Sequence, residues 1–524
     1  MKSPFLPEWL FFHAERTPGA PAVATPAVRL SYGILADRVR ALAGHLAASG
    51  IGQADRVLIA LPNTPATVVA ALAVQMLGGT PVEVSRAWHP DVLAEIVTRT
   101  CARQAFAWGR DAQAWGSASA GLPIDRLWVV HPAALPGPLR EALRAVPAAL
   151  FLEDGRVDPD LGPAPEPPTV ELALDAPALV LYTSGSTGRP HGVVQTFRNI
   201  DANTRSIVQY LELTAGDRAL LTLPLYYCYG RSVLQTHLYV GGSLFLENRS
   251  AFPRVILEAL ASEGCTGFAG VPLTFEIMRR LLDVSSASLP RLRYVTQAGG
   301  PMAPDTIAWA RRVFHPASLF VMYGQTEATA RLSYLPPDRA ADKEGSVGIP
   351  IPGVELRVVD EHGSELPPGE VGELVARGDH VTPGYLDEPE ETAAMLRSGW
   401  LWTGDLAYRD ADGFVFLRGR AREILKVGGK RVSPVEIEQV IARHPDVAEA
   451  AVVGMKHDLV GQVPAAFVVC RPGKTLGGDD LQRHCRERLP PYMVPVKFIL
   501  VDALPRNEAG KLLREDLVAR LAAG

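Results

Sequence analysis

The stretch from Leu61 to Val82 carries no charge and includes the run Ala66-Thr-Val-Val-Ala-Ala-Leu-Ala-Val-Gln-Met-Leu77. A segment this apolar is stable either across a bilayer or in the closed interior of a large fold. Its punctuation selects the interior. Asn63-Thr-Pro65 is a capped helix start and Gly78-Gly79 a stop, so the helix between them has only about four turns. The apolar strands Val57 to Leu61 and Pro81 to Val84 flank it. A helix crossing between parallel strands accounts for this order, giving a buried β-α-β unit.

Strand patterns at Gln104 to Gly109, Arg126 to Val130 and Ala149 to Leu152 continue the alternation, which predicts an α/β fold of layered sheets with helices on their faces. Glu153 to Pro168, rich in Pro, Asp and Glu, reads as a surface linker between two subdomains. The second begins near residue 180 and contains a helix pair, Ala251 to Leu282, around the apolar strand Gly267 to Val271. From Gly345 to Phe416 short strands with Gly/Pro turns (Val354 to Val359, Gly372 to Ala376, Gly413 to Leu417) predict a small barrel or sheet. Beyond Arg420 a helix from Ser433, strands at Ala448 to Val453 and Ala465 to Cys470, and a helix from Asp479 to Leu489 describe a compact α+β domain.

Within 524 residues, 47% are apolar and 21% charged, and the formal net charge is −5. The length predicts two domains, and the acidic balance argues against a nucleic-acid partner. Five cysteines without a C-x-x-C pair argue against zinc and fit a reducing cytoplasm. Pro4, Pro7 and Glu8 interrupt the apolar start, so it does not read as a signal peptide, and no integral membrane contact is expected.

The chemistry concentrates in Leu181-Tyr-Thr-Ser-Gly-Ser-Thr-Gly-Arg-Pro-His-Gly-Val193. Glycines let successive N–H groups turn toward one anion, and four hydroxyls add donors around it, which suits a polyphosphate. The loop joins a strand from Ala178 to Leu181 to another from Gly192 to Thr196. No Gly-Lys-Ser/Thr follows at Walker spacing, and no Gly-x-Gly-x-x-Gly opens a helix.

Further signals follow in order: Met322-Tyr-Gly-Gln-Thr-Glu327 after the strand Ser318 to Val321, Trp402-Thr-Gly-Asp405, Phe416-Leu-Arg-Gly-Arg420, Lys426-Val-Gly-Gly429 and Leu504-Pro-Arg-Asn-Glu-Ala-Gly-Lys511. Together, across about residues 10 to 515, they resemble the adenylate-forming superfamily of acyl-CoA synthetases, adenylation domains and luciferases. The resemblance implies activation of a carboxylic acid by ATP and Mg²⁺ to an acyl-adenylate, then transfer to the thiol of coenzyme A. A carrier-protein phosphopantetheine arm or an amine is the alternative acceptor, and a non-catalytic nucleotide-binding protein is a further alternative. The chain shows no extra segment around Asp379 to Trp400 of the sort that marks stand-alone fatty acyl-AMP ligases, which favours CoA.

The resemblance also implies roles. Thr183, Ser184, Gly185, Ser186, Thr187 and Gly188 hold the β- and γ-phosphates, Glu327 ligates Mg²⁺ and Thr326 reaches the α-phosphate. Tyr323, with Gly324 beside it, stacks on adenine against Gln297, Ala298 and Gly299. Asp405 accepts from the ribose hydroxyls with Arg420 nearby. Lys511 bridges the attacking carboxylate and the phosphate. Residues 1–418 form the nucleotide- and acid-binding domain, 419–422 a hinge containing Arg422, and 423–524 a small mobile domain that alternately delivers Lys511 and presents Lys426, Gly428 and Gly429 to a thiol tunnel. His191 stands where the family usually has lysine, so a permanent charge becomes one that titrates near neutrality.

Pocket candidates by position are Tyr227, Tyr229, Gly230, Arg231, Val271 and Leu273, with Ala298 and Arg331 deeper. Arg231 is the candidate for meeting a second anionic group on the substrate. The absence of an aspartate from the pocket helix argues against an amino acid substrate.

Overall fold

The structure, a computed structural model, describes residues 3–109, 111, 124–131, 148–183, 190–249, 252–282, 284, 288–420, 423, 425–427, 430–457, 461–506 and 512–523. The charge-free segment forms the predicted unit. Helix Pro65–Met76, capped by the Thr64 hydroxyl, joins Arg56–Ala60 to the parallel strand Thr80–Glu83. Side chains alternate across a strand, and both faces of this one are covered. Val57 and Ile59 enter the core between the two large sheets, whereas Leu58 and Ala60 pack outward with Leu93, Ile96 and Val97 of helix Pro90–Thr100.

Two large sheets carry the N-terminal part. One has seven strands in the order Ala148–Leu152, Arg126–His131, Gln104–Trp108, Arg56–Ala60, Thr80–Glu83, Pro177–Thr183 and His191–Thr196, parallel except for the last. The other has nine, with a run of six parallel strands, Ser318–Tyr323, Tyr294–Gln297, Gly267–Gly270, Arg218–Leu221, Ser243–Leu246 and Pro21–Ala24. Helices Leu6–Arg16, Tyr32–Ala48, Pro65–Met76, Phe197–Leu211 and Cys228–Val240 fill the space between them. Helices Pro253–Ser262, Pro272–Leu281 and Pro304–Val313 cover the outer face of the nine-stranded sheet. The result is a helix–sheet–helix–sheet–helix stack.

The expected division at Glu153 to Pro168 is corrected by this pairing. Pro177–Thr183 and His191–Thr196 lie beyond the linker yet complete the first sheet, while Pro21–Ala24 and Arg29–Ser31 lie before it and pair into the second. Each sheet borrows strands from the other half of the chain, because the shared helical layer gives both the same core. The linker is mostly exposed, yet it is tied down at intervals. Glu153 O accepts the Ala66 N–H at 3.1 Å, and Pro165 O passes so near Gly44 that an added Cβ would lie 1.9 Å from it.

The predicted short strands form a five-stranded antiparallel sheet from Glu355–Val359, Gly372–Arg377, Trp400–Arg409, Leu396–Arg397 and Val415–Arg420. The C-terminal strands Val447–His457 and Gly461–Cys470 pair along their length and pack against helices Pro434–Ala442 and Gly478–Arg486.

Gly44→Ala is expected to destabilise the protein by about 1–3 kcal/mol, since the carbonyl it meets is backbone and the packed strap must move. Gly52→Ala, with no atom within 4 Å of the new methyl, serves as the control. Thermal unfolding of both checks this, and equal midpoints would show that the strap is not held against the helix.

Candidate active site

Polar side chains gather where strand Ser318–Tyr323 ends. The Tyr323 hydroxyl donates to Asp405 Oδ2 at 2.5 Å, and Arg420 Nε stands 2.8 Å from Asp405 Oδ1. Asp405 and Arg420 are direct cross-strand partners, so the sheet register itself makes the pair. Burial and the neighbouring Asp405 charge push the Tyr323 phenol well above its ordinary pKa, which keeps it a donor. On the adjacent strand Gln297 is paired with Val321, and its amide donates to Gly300 O at 2.8 Å. Ala298 is buried, and Gly299, at φ +91°, lies so close to the Tyr227 hydroxyl that a Cβ would sit 2.6 Å from it. The predicted nucleotide residues thus occupy neighbouring strand ends, where α/β sheets bind ligands.

The chain leaves Tyr323 through Gly324, whose Cα approaches the backbone of Ala330 and Arg331 so closely that a Cβ would lie 2.0 Å from Ala330 O. This return is made by a γ-turn. Thr329 has φ +63° and ψ −59°, and Ala330 N donates to Ala328 O at 2.7 Å. A β-branched residue there is strained. Three contacts hold it: the Thr329 hydroxyl donates to His380 O at 2.7 Å, Thr329 N to Thr326 O at 3.0 Å, and the Gln195 amide to Thr329 O at 3.1 Å. Thr326 is buried and shares a side-chain hydrogen bond with Cys228, whose thiol burial pushes up.

Glu327 accepts a hydrogen bond on Oε1 from the Tyr385 hydroxyl at 2.9 Å. No partner occupies Oε2 among the described residues, and none of them form a group of three or more His, Cys, Asp or Glu able to cage a metal. This donor set fits Mg²⁺, which keeps several waters and takes one or two carboxylates plus substrate phosphates. Thr183 ends its strand directly opposite His191, so the two arms of the phosphate loop are in register. His191 Nδ1 meets Glu388 Oε2, while the other oxygen of Glu388 accepts from Arg99, which also donates to Pro190 O at 3.1 Å. The position usually held by lysine is therefore a histidine tethered to a carboxylate that Arg99 shares. Tyr385, Glu388 and Arg99 had not been singled out from sequence. The signal available was Pro383-Gly-Tyr385 followed by Glu388-Pro389, a turn and a helix start.

On the acyl side Tyr227 and Leu273 are half-buried, Val271 is buried, and the Tyr229 hydroxyl donates to Thr296 Oγ1 at 2.7 Å. Arg331 is buried over the Tyr229 ring, 4.1 Å from its centroid. Two assignments are corrected. Arg231 is 1% exposed and turned into the core, where Nη1 lies 2.8 Å from Glu83 Oε1. Its charge is spent on an internal carboxylate, whose own pKa burial pushes up while Arg231 opposes the rise. Gly230 is a packing residue, since a Cβ would lie 2.3 Å from Pro224 O.

Ser184, Gly185, Ser186, Thr187, Gly188, Arg422, Gly428, Gly429 and Lys511 lie outside the described residues, as does the Lys426 side chain. Strands Leu425–Val427 and Lys430–Val432 pair antiparallel with Val427 opposite Lys430. Val427 and Lys430, with Pro464, Pro491 and Tyr492, border a cavity of about 270 Å³.

A carboxylate suited to Mg²⁺, a buried threonine beside it and a tyrosine whose hydroxyl meets an aspartate–arginine pair from the neighbouring antiparallel sheet define an adenylate-forming enzyme. The chain belongs to the AMP-binding enzyme family, which it matches over residues 10–386, and to which its match to the AMP-binding enzyme C-terminal domain over residues 436–511 corresponds. It is 34% identical to sulfoacetate–CoA ligase of Cupriavidus necator over 93% of this chain and 92% of that protein. It is 32% identical to feruloyl-CoA synthase of an Amycolatopsis species over 99% and 100%. Among solved structures it superposes on o-succinylbenzoate CoA synthetase of Bacillus subtilis bound to its acyl-adenylate intermediate, with a TM-score of 0.82, 27% identity and 97% of each chain covered. It is an ATP-dependent acid–thiol ligase that forms acyl-CoA through an acyl-adenylate.

Tyr385→Phe is expected to lower kcat/KM for ATP about 10- to 100-fold, the worth of one hydrogen bond to a charged carboxylate. Acid-dependent pyrophosphate release at several Mg²⁺ concentrations checks it. The fold around Thr329 yields a second expectation. His380 is 1% exposed, and burial lowers its pKa from 6.5 to about 4. As pH falls through 6.5 the unfolded chain takes up a proton that the folded one refuses until about 4, so stability falls across that window, by about 3 kcal/mol at most. His380→Gln flattens that part of the stability–pH curve, and calorimetry between pH 7 and 4 reads it.

Proposed function

We propose that residues 1–418 bind ATP and a small carboxylic acid, that 419–422 act as a hinge, and that 423–524 carry Lys511 to the reacting groups. The observation that carries this reading is the convergence of Thr326, Glu327, Tyr323 and Asp405 at the carboxyl end of one parallel strand and its neighbours. The acid's carboxylate oxygen attacks the α-phosphorus of ATP, the bond to the bridging oxygen breaks, and pyrophosphate leaves. The CoA thiolate then attacks the acyl carbonyl and AMP departs.

In this scheme Asp405 accepts from the ribose hydroxyls while Tyr323 and Arg420 hold its carboxylate in place. Thr183 and residues 184–188 cradle the leaving phosphates, and Thr326 donates toward the α-phosphate. Glu327 would hold Mg²⁺, which would supply positive charge against the phosphates. Lys511 draws the two anions together. CoA is favoured over a carrier-protein arm because the curated relatives named above make CoA thioesters. A cytoplasmic setting fits the free cysteines at 101, 228, 265, 470 and 485, and among the described residues no helix is long and apolar enough to cross a membrane.

Pyrophosphate release and hydroxamate trapping with a panel of acids test the scheme. Lys511→Ala is expected to slow adenylate formation about 10²- to 10³-fold while leaving ATP binding within a few-fold. Pyrophosphate release that does not depend on an acid, or that survives Lys511→Ala unchanged, would overturn it.

A further inference from the structure

Two arginines are buried among the described residues, Arg231 at 1% and Arg331 at 3% exposure. They are differently served. Arg231 has Glu83, whereas Arg331 has no carboxylate within ion-pair distance among the described residues. Its Nε approaches the Met322 sulfur at 3.3 Å, one Nη lies 3.4 Å from Ala330 O, and the guanidinium rests on the Tyr229 ring. Tyr210 shares a side-chain hydrogen bond with it. A thioether is a weak acceptor and a phenol ring is neutral, so the positive charge is incompletely compensated.

Among the described residues the surrounding groups supply no anion. Burial pushes the Tyr210 phenol up to about 12 and keeps Tyr227 and Tyr229 protonated. His237, nearby on helix Cys228–Val240, is held neutral by burial and bonded to Val233 O and the Tyr294 hydroxyl. Glu327, four residues before Arg331, turns its carboxylate to Tyr385. A space of about 20 Å³ bordered by Arg331, Thr296, Tyr294 and His237 holds about one water, which cannot neutralise the charge. Tyr227 stands against Gly299, its hydroxyl 2.6 Å from where a Cβ would lie.

A buried cation that the protein leaves without a counter-charge, beside Tyr229 in the acyl region, is a site for an anion that arrives with the substrate. We propose that Arg331 reads a second anionic group, a carboxylate or sulfonate, at the far end of a short acid. The proposal rests on the acid–thiol ligase reading and names its substrate class. Arg331 is a specificity residue: it ion-pairs with the non-reacting end, and no bond to it is made or broken. A tail that ends in a neutral group leaves the guanidinium unpaired.

The test is kcat/KM from pyrophosphate release for malonate, succinate, glutarate and sulfoacetate against acetate, propionate and butyrate, with wild type, Arg331→Gln and Arg331→Lys. Wild type is expected to favour the dianionic acids at least 100-fold. Arg331→Gln removes that preference, cutting dianion activity about 10²- to 10³-fold while activity with monocarboxylates stays within a few-fold or rises. Arg331→Lys keeps part of the preference. Wild-type preference for monocarboxylates, or an equal loss for both classes in Arg331→Gln, would overturn the inference and leave the ligase reading intact. If Arg331→Gln does not fold, the wild-type ranking alone decides. Activity with no acid of a wider panel would instead overturn the ligase reading.

Discussion

An open strand edge organises the active site. His191–Thr196 is the last strand of its sheet, and its outer backbone groups are taken by a segment almost two hundred residues later. Val194 N donates to Gly384 O at 3.1 Å and Leu386 N to Gly192 O at 2.7 Å, with Val193 facing Tyr385. This short pairing closes an edge that would otherwise be exposed. It also sets a register in which Tyr385 reaches Glu327 and Glu388 reaches His191. A slip of one residue would send both side chains to the opposite face. Glu327 and His191 are thus positioned by the same few backbone hydrogen bonds.

The layered core makes that edge available. The two large sheets share one helical layer and exchange strands, so residues from distant parts of the chain are held in one core. Asp405 and Arg420 arrive from a third, antiparallel sheet whose pairing sets them opposite each other. The cross-strand pair and the Tyr323 hydroxyl hold both oxygens of the Asp405 carboxylate in place.

Much of this was legible from sequence, for identifiable reasons. The buried crossover at Pro65–Met76 was readable because proline, a hydroxyl cap and two glycines mark its ends. The strand frame of the phosphate loop and the gathering of Tyr323, Thr326 and Glu327 followed from local order along the chain. Strand exchange was not legible, since alternation of strands and helices says nothing about which sheet a strand joins. Tyr385, Glu388 and Arg99 were missed because their partners depend on edge pairing across large sequence separations. The two arginines illustrate the limit most clearly. Arg231 and Arg331 look alike as residues, and only burial beside Glu83 or beside Tyr229 and Met322 tells an internal counter-ion from an open one.

The γ-turn at Thr329 has a further consequence for how such a protein diversifies. It reverses the chain within three residues, so Glu327 and Arg331, close in sequence, are sent to different neighbourhoods. A lineage can therefore exchange the side chain at 331 for a new acid without disturbing the carboxylate four positions earlier. Insertions or deletions between them have no such freedom, because the turn is pinned from three sides. Drift in substrate preference here is confined to point substitutions, and the spacing between the two residues is the part that inheritance has to conserve.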